Sequence, residues 1–312
     1  MRKQVIVMAA MAIASTAAGS VTPPASYPVA PTADVVDEYF GEKVADRYRP
    51  LENDTASATL AWVDAERKVT EDYLGQIPFR ARLREQIAGF NNYVKHGTPW
   101  LWRDGRYYFT RNDGLRNQSV LYRSDKLGGP ETEVLDPTKL SDDGTVALTG
   151  LTMSDDGRWI AYTVSRSGSD WTEIYVIDAN TLDMAQDHIE WAKFTGAQWR
   201  GDGFYYSAYD RPEAGKEFSN ANENHRIYYH RIGTPQTDDI LVFEDKDHPL
   251  HFHSAGLSSD GRYLFVSVGG QGFGNGLLMK DLEAPAAGWV TIEESQNYEI
   301  APVDVIDGTL YL

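Results

Sequence analysis

The chain has 312 residues, of which 42% are hydrophobic and 24% are charged, so it can bury a large core and disorder is not expected over most of its length. Its net charge of −17 argues against a nucleic-acid partner, because a polyanionic backbone requires clustered Lys and Arg. With no cysteine it has no disulfides, and core packing alone must hold it together.

Residues 1–19 predict a signal peptide. Arg2 and Lys3 precede an apolar run from Val5 to Ala14, and small residues follow as far as Gly19. A charged start, a short apolar run and small residues at the cleavage site are typical of secretory signals. We therefore expect export to the periplasm or the extracellular space. No later segment is long and apolar enough to cross a bilayer, so no membrane partner is expected.

After a Pro-rich, flexible lead-in over 20–32, residues 33–92 are predicted to form a helical segment. Apolar residues recur at helical spacing from Asp54 to Gly75, with Asp54 or Ser57 as the expected N-cap. A second helix follows, and its apolar face comprises Phe79, Leu83, Ile87 and Phe90. Neither helix can bury its apolar face alone, so both require a packing partner.

Beyond Asn92 the pattern predicts strands. Short runs rich in aromatic and β-branched residues cover 107–110, 159–164 and 263–268. Most strands follow an Asp-Gly pair, a tight-turn dipeptide whose glycine accepts a positive φ. These pairs begin at Asp104, Asp156, Asp202, Asp260 and Asp307, at intervals of 52, 46, 58 and 47 residues.

A repeat of about fifty residues suits the four-stranded blades of a β-propeller, whereas a β-sandwich has turns every 8–12 residues and no longer period. We therefore predict a mainly β fold in which residues 93–312 form an incomplete propeller of about four blades. The last predicted strand, 309–312, has no strand to close a ring. The chain is therefore expected to be a fragment of a longer protein.

No catalytic residue is predicted. An α/β-hydrolase needs Gly-x-Ser-x-Gly around its nucleophile, and the sequence contains no such pentapeptide. Ser258, in the segment 256–261, resembles one superficially, but it is expected in a turn between strands.

Three histidines, His248, His251 and His253, have a spacing that could contact zinc. No cysteine or well-placed carboxylate completes a tetrahedral set, so a structural role on a strand edge is favoured. His225 and His230, lone histidines in a loop-to-strand region, are also expected to be structural. We assign no metal ligand and no cofactor. The Asp-Asp-Gly segments at 142–144 and 155–157 lack the ligand spacing of a calcium loop and indicate turns. The glycines of 269–276 do not open a helix, so they indicate a flexible loop rather than a phosphate site.

Ordered motifs along the chain resemble the prolyl oligopeptidase family of serine peptidases. They include Asp46, Tyr48, Arg49, Leu51 and Glu52, then 112–122, 135–137, 140–148, 167–171, 228–234 and 238–242. Pro50 departs from the family pattern, in which many members carry tryptophan. The resemblance spans roughly residues 30 to 312.

This resemblance implies a two-domain enzyme that cleaves short proline-containing peptides after proline. The N-terminal helices belong to an α/β-hydrolase domain, and a seven-bladed propeller gates its active site. The Ser, Asp and His of the triad lie beyond Leu312, so this chain alone is expected to be inactive. Phe194 aligns with a residue that lines the substrate pocket two residues before the substrate proline, and Phe252 with another apolar lining residue. The alternative is a non-catalytic propeller that binds peptides or proteins.

Overall fold

The computed structural model describes residues 21–213, 215–217, 221–270 and 272–312. The predicted signal peptide lies outside these residues. The described chain divides into two compact units, one holding the residues up to Asn91 with part of 213–219, the other holding 92–212 and 220–312. Within the described residues, no helix has the length and apolar character needed to span a membrane.

The first unit begins with a hairpin that the helical prediction for 33–92 did not include. Its strands are β1 (Val36–Tyr39) and β2 (Glu42–Ala45), followed by a 3-10 turn (Arg49–Glu52) and the helices α1 (Ser57–Gly75) and α2 (Arg80–Asn91). Arg49 in this turn forms ion pairs with Asp37 of β1 and, at 2.7 Å, with Asp46. Two residues of the N-terminal motif therefore hold the turn against the hairpin.

Both predicted helices are present, but the predicted cap is wrong. Ala56 precedes α1 with extended backbone and no side-chain hydrogen bond, so neither Asp54 nor Ser57 caps it. The lead-in contacts this helix, since the Trp62 indole donates to the Pro28 carbonyl at 3.4 Å. The apolar face of α2 is exposed over its whole length, at Phe79, Leu83, Ile87 and Phe90.

The second unit consists of antiparallel strands in chain order. The first sheet contains β3 (Lys95–His96), β4 (Trp100–Leu101), β5 (Tyr107–Asn112), β6 (Val120–Ser124) and β7 (Thr132–Leu135). The second group contains β8 (Val146–Met153), β9 (Trp159–Arg166), β10 (Thr172–Asp178) and β11 (Met184–Ala192). The third contains β12 (Gln198–Arg200), β13 (Gly203–Ala208), β14 (Arg226–Arg231) and β15 (Ile240–Phe243). The fourth contains β16 (Phe252–Leu257), β17 (Tyr263–Gly269), β18 (Gly276–Asp281) and β19 (Trp289–Glu293), and a hairpin of β20 (Asp304–Ile306) and β21 (Thr309–Tyr311) follows.

In the second, third and fourth groups each strand pairs with the next one in the chain, which is the strand order of a propeller blade. In the first sheet β3 and β4 both pair with β5, and β6 and β7 follow in order. The second and third groups also share one bridge, Ala192 to Ala208, so they form a continuous sheet. Short 3-10 turns at Pro137–Lys139, Gln236–Asp238 and Pro285–Ala287 interrupt the connections. The structure thus confirms a mainly β fold with two helices near the N-terminus.

Four of the five Asp-Gly pairs form the expected turns, with positive φ at Gly105, Gly157, Gly261 and Gly308. The prediction is wrong at Asp202-Gly203. There the left-handed residue is Gly201, with φ 62°, and Gly203 is the first residue of β13. A Cβ on Gly203 would overlap the backbone carbonyl of His230 on the neighbouring strand, so this glycine permits close strand approach rather than a turn.

Apolar side chains pack between consecutive sheets. Tyr108 and Leu121 of the first sheet meet Ile160 and Tyr162 of the second, and similar clusters fill the next two interfaces. Polar contacts add to these layers, for example the amide of Gln118, which accepts from Leu148 N–H of β8 at 3.0 Å. Part of the family-like motif at 112–122 therefore joins adjacent sheets.

Candidate functional site

Phe194 and Phe252 are 58 positions apart in the chain, and the structure brings them together. Phe194 lies in the link between β11 and β12, and Phe252 begins β16. Their ring centroids are 5.5 Å apart and the ring planes are tilted by 49°. They remain 53% and 39% exposed, respectively. These two residues, the aromatic pair, present an apolar surface that a ligand side chain could cover.

The backbone of Phe194 has a conformation that bulky residues seldom adopt. Its φ is 53°, and that of Trp191 in the same segment is 59°. Each such residue costs on the order of 1–3 kcal/mol, so surrounding contacts must hold it. Ser254 Oγ donates to the Phe194 carbonyl at 3.4 Å, and Thr195 Oγ1 accepts from the Ser207 N–H at 2.9 Å. Strain retained at an exposed aromatic residue is typical of binding sites.

Two buried histidines lie behind the aromatic pair. The ring centroid of His225 is 6.4 Å from that of Phe194, edge to face. His225 Nδ1 accepts from the His253 N–H at 2.8 Å, so its Nε2–H donates to the Lys193 carbonyl at 3.0 Å. His253 Nδ1 lies 2.8 Å from the His225 carbonyl and donates to it. These bonds fix one tautomer in each ring.

Both histidines are uncharged at neutral pH. Burial lowers the pKa of His225 to about 4, against a weaker opposing effect of its bond to the Lys193 carbonyl. Burial also lowers the pKa of His253. The aromatic pair therefore rests on neutral rings, and the charge next to it comes from Lys193.

The Lys193 side chain is mostly buried, with its ammonium over two aromatic faces. Lys193 Nζ lies 4.8 Å from the ring centroid of Trp171 and 5.4 Å from that of Phe194. Asp170 Oδ2 is 3.7 Å from Nζ. Cation–π contact with the Phe194 ring helps to hold that ring in place. Trp171 belongs to the family-like segment 167–171, but nothing in the sequence indicated that it meets Lys193.

A cavity of about 730 Å³ lies beside β4, β8, β12 and β16, one strand from each group. It is lined by Trp102, Arg103, Leu151, Thr152, Met153, Asp155, Ala197, Gln198, Trp199 and 257–261. Its residues from the fourth group follow the end of β16, whereas Phe252 begins that strand. The cavity and the aromatic pair therefore occupy opposite ends of β16.

Ser258 lines this cavity but its hydroxyl takes part in a turn. Ser258 Oγ donates to Asp260 Oδ1 at 2.6 Å and accepts from the Tyr263 N–H at 2.9 Å. Ser154 makes the same pair of bonds, with Asp156 and the N–H of Trp159, in the second group. The hydroxyl is thus a repeated turn element, as the turn assignment predicted, and its hydrogen-bond partners among the described residues include no histidine.

The three histidines of 248–253 do not form one cluster. His248 and His251 converge with Asp245, whereas His253 faces His225. Asp245 supplies a well-placed carboxylate, contrary to the expectation from the sequence. A single Asp three residues before His248 carries little signal, because the spacing becomes meaningful only once the link between β15 and β16 turns back.

The remaining motifs have structural explanations. Asp143 Oδ1 accepts from the Thr145 N–H at 3.0 Å, and Asp156 Oδ1 from the Arg158 N–H at 3.0 Å, as expected of Asp-Gly turns. In the glycine-rich stretch, a Cβ on Gly272 or Gly274 would overlap the backbone of 296–298. These glycines therefore permit close packing of two backbone segments.

Groups of antiparallel strands that pair mainly in chain order, packed face to face around the strands that line one cavity, define a β-propeller protein. Residues 27–309 match the family model "Prolyl oligopeptidase, N-terminal beta-propeller domain". The chain therefore belongs to the prolyl oligopeptidase family, within the propeller domain.

Individual relatives support the same family membership. The prolyl endopeptidase of Elizabethkingia miricola is 40% identical over 314 residues, covering 100% of this chain and 44% of that protein. That of Elizabethkingia meningoseptica is 40% identical over 289 residues, covering 92% and 40%. Prolyl oligopeptidase B from Galerina marginata, solved bound to a 25mer macrocyclization substrate, superposes with a TM-score of 0.78 at 28% identity, covering 93% of this chain and 44% of that chain. The chain thus spans less than half the length of these relatives.

Proposed function

We propose that this chain is the propeller part of an exported serine endopeptidase of the prolyl oligopeptidase type, which hydrolyses short peptides after proline. The catalytic Ser, Asp and His belong to a hydrolase domain encoded outside this chain. Helices α1 and α2 belong to that domain, and their exposed apolar residues, such as Ile87 and Phe90, pack against it. The coverage of the relatives supports a longer polypeptide.

The observation that carries this proposal is the exposed aromatic pair. Phe194 and Phe252 contact an apolar substrate residue upstream of the proline and add binding area without taking part in the chemistry. Neutral His225 and His253 behind the aromatic pair add no charge to it, and the strained backbone of Phe194 holds its ring outward. The site therefore prefers apolar residues at that subsite.

The propeller also limits which molecules reach the aromatic pair. Five residue steps along β16 separate Phe252 from Leu257 at the cavity, roughly 17 Å of extended chain. An extended peptide that enters through the cavity can follow the first strands to the aromatic pair. A folded domain is wider than a cavity of about 730 Å³ allows. The propeller thus admits short peptides and excludes folded proteins.

The test uses the full polypeptide that the gene encodes. Phe194→Ala should weaken transition-state binding by roughly 1–3 kcal/mol, and so lower kcat/KM, for peptides with a bulky apolar residue at the upstream subsite. Peptides with glycine there should lose little. Leu127→Ala, which removes an exposed apolar side chain from the link between β6 and β7, is the control and should leave both substrates unchanged.

Two results would contradict the proposal in different ways. Equal loss on both substrates, together with a lower melting temperature, would make Phe194 a packing residue. Absence of hydrolysis of every prolyl peptide by the full polypeptide, with peptide binding retained, would favour the non-catalytic binding propeller.

A further inference from the structure

The link between β15 and β16 brings three metal-ligating side chains together. Asp245 Oδ2 lies 3.0 Å from His248 Nδ1 and 3.5 Å from His251 Nδ1. One ligand atom from each of the three residues lies within 4.8 Å of the others. With metal–ligand bonds of about 2.0–2.1 Å, two ligands of a tetrahedral zinc ion are about 3.3 Å apart. The two distances from the Asp245 carboxylate, 3.0 Å and 3.5 Å, lie on either side of that value.

A second observation concerns His251 alone. The residue is 7% exposed, and its buried Nδ1 has no hydrogen-bond partner among the described residues. The nearest anionic atom is the Asp245 carboxylate, beyond normal hydrogen-bond length. A buried nitrogen without a hydrogen bond costs about 1–3 kcal/mol, and a metal ion at that position would satisfy it.

The other ring nitrogen already faces an outer partner. His251 Nε2 lies 3.4 Å from the Gln296 side-chain amide. Metal-bound histidines donate their second N–H to an oxygen acceptor. The side-chain oxygen of Gln296 becomes that acceptor when its amide group flips. The same oxygen accepts from the Gly272 N–H at 3.3 Å, so flipping the amide gives up this bond when it forms the one to His251.

One movement is required. The rings of His248 and His251 stack with centroids 4.6 Å apart and planes 10° from parallel. In-plane lone pairs of parallel rings do not meet at one ion, so one ring must rotate. His248 can do so, because its side chain is 54% exposed, whereas the buried His251 stays in place.

We propose that Asp245, His248 and His251 bind one divalent transition-metal ion, with water completing the coordination. Two imidazoles and a carboxylate form a borderline donor set that suits zinc and excludes calcium and magnesium, which take oxygen ligands. The ion fixes the link immediately before Phe252. The site does not depend on the proposed peptidase function.

The test is titration of the untagged full polypeptide, first treated with chelator, with Zn²⁺ in a calorimeter near neutral pH. One ion should bind per chain, and Zn²⁺ should raise the melting temperature. His248→Ala and Asp245→Asn should each weaken Zn²⁺ binding by at least about tenfold. Since His248 is exposed, its variant keeps the fold. His188→Ala, which removes an exposed histidine paired with Glu173 on another sheet, is the matched control and should bind as the wild type does.

Co²⁺ provides an independent readout, because four-coordinate Co²⁺ with nitrogen and oxygen ligands absorbs visible light much more strongly than the hydrated ion. The wild type and His188→Ala should show these bands, and His248→Ala should not. Absence of Zn²⁺ binding by the wild type, or unchanged affinity in both His248→Ala and Asp245→Asn, would overturn the proposal.

Discussion

The ring of Phe252 lies across the backbone of Gly269. The two residues are directly paired in the register of β16 and β17, and a Cβ on Gly269 would fall well inside contact distance of that ring. Gly269 does not need glycine for its φ, which lies outside the left-handed region. The neighbouring strand therefore uses glycine to make room for an aromatic side chain.

Gly269→Ala should consequently displace Phe252. Overpacking of this kind costs roughly 1–3 kcal/mol of the free energy of unfolding, measured by urea denaturation of the full polypeptide. In a Phe252→Ala background the same substitution should cost little, because the clash is gone. The double-mutant cycle measures this coupling directly. Additive effects of the two substitutions would show that the clash is relieved elsewhere.

His230 should make stability depend on pH. It is fully buried between two carboxylates, with Nδ1 2.7 Å from Asp239 Oδ1 and Nε2 3.0 Å from Asp187 Oδ1. Burial acts to lower the pKa of His230, but the hydrogen bonds to Asp187 and Asp239 outweigh it and raise the pKa to about 9. Burial and the bond from its hydroxyl to Asp239 raise the pKa of Tyr206, so this tyrosine stays neutral in the same range.

A raised pKa in the folded state means that protonation of His230 favours folding. The stabilisation that protonated His230 provides is complete below pH 6.5, the ordinary pKa of histidine, and is lost as the pH rises through about 9. It amounts to on the order of 3 kcal/mol. His230→Gln should therefore be much less stable than the wild type at pH 6, and the difference should shrink toward pH 9.5. Urea midpoints across this range check it, and a constant difference would contradict the charged state of His230.

The two glycines that flank Asp202 should respond differently to alanine. Gly203→Ala places a methyl group against the backbone carbonyl of His230, which cannot move without breaking β14, so a loss of about 3 kcal/mol or more is expected. Gly201→Ala meets only the Tyr229 hydroxyl, at an ordinary contact distance of 3.9 Å, so its main cost is the left-handed backbone, about 1–2 kcal/mol. Gly201→Asn should recover part of that cost. Chemical denaturation of the three variants ranks them, and the reverse order would restore Gly203 as the turn residue.

The 312-residue chain alone should have no peptidase activity. Among the described residues the candidate nucleophile, Ser258, is bonded to Asp260 and to the backbone of its own turn, and no histidine activates it. The assay uses a chromogenic Gly-Pro substrate with the purified chain, and the full polypeptide is the positive control. Turnover that persists through repurification and is blocked by a serine-directed phosphonate would refute this.

Strand and turn positions were largely evident in the sequence, because they depend on local chemistry. The runs at 107–110, 159–164 and 263–268 lie within β5, β9 and β17, and four Asp-Gly turns appear as expected. Alternation and turn dipeptides act over a few residues, so their period of about fifty residues was enough to predict repeated β units. The N-cap position of α1, Ala56, was missed because its side chain makes no capping hydrogen bond.

The composition of each site was decided by tertiary structure. Phe194 and Phe252 were singled out only by resemblance, and their contact depends on how the links before β12 and β16 pack. Asp245 meets His251 while His253, two residues on, turns toward His225, because His251 lies in the link before β16, whereas His253 lies inside the strand and follows its pairing with β17. Sequence periodicity specifies which face of a strand is apolar. Sheet packing decides which strand faces meet when they are tens of residues apart in the chain, and local sequence patterns do not contain that information.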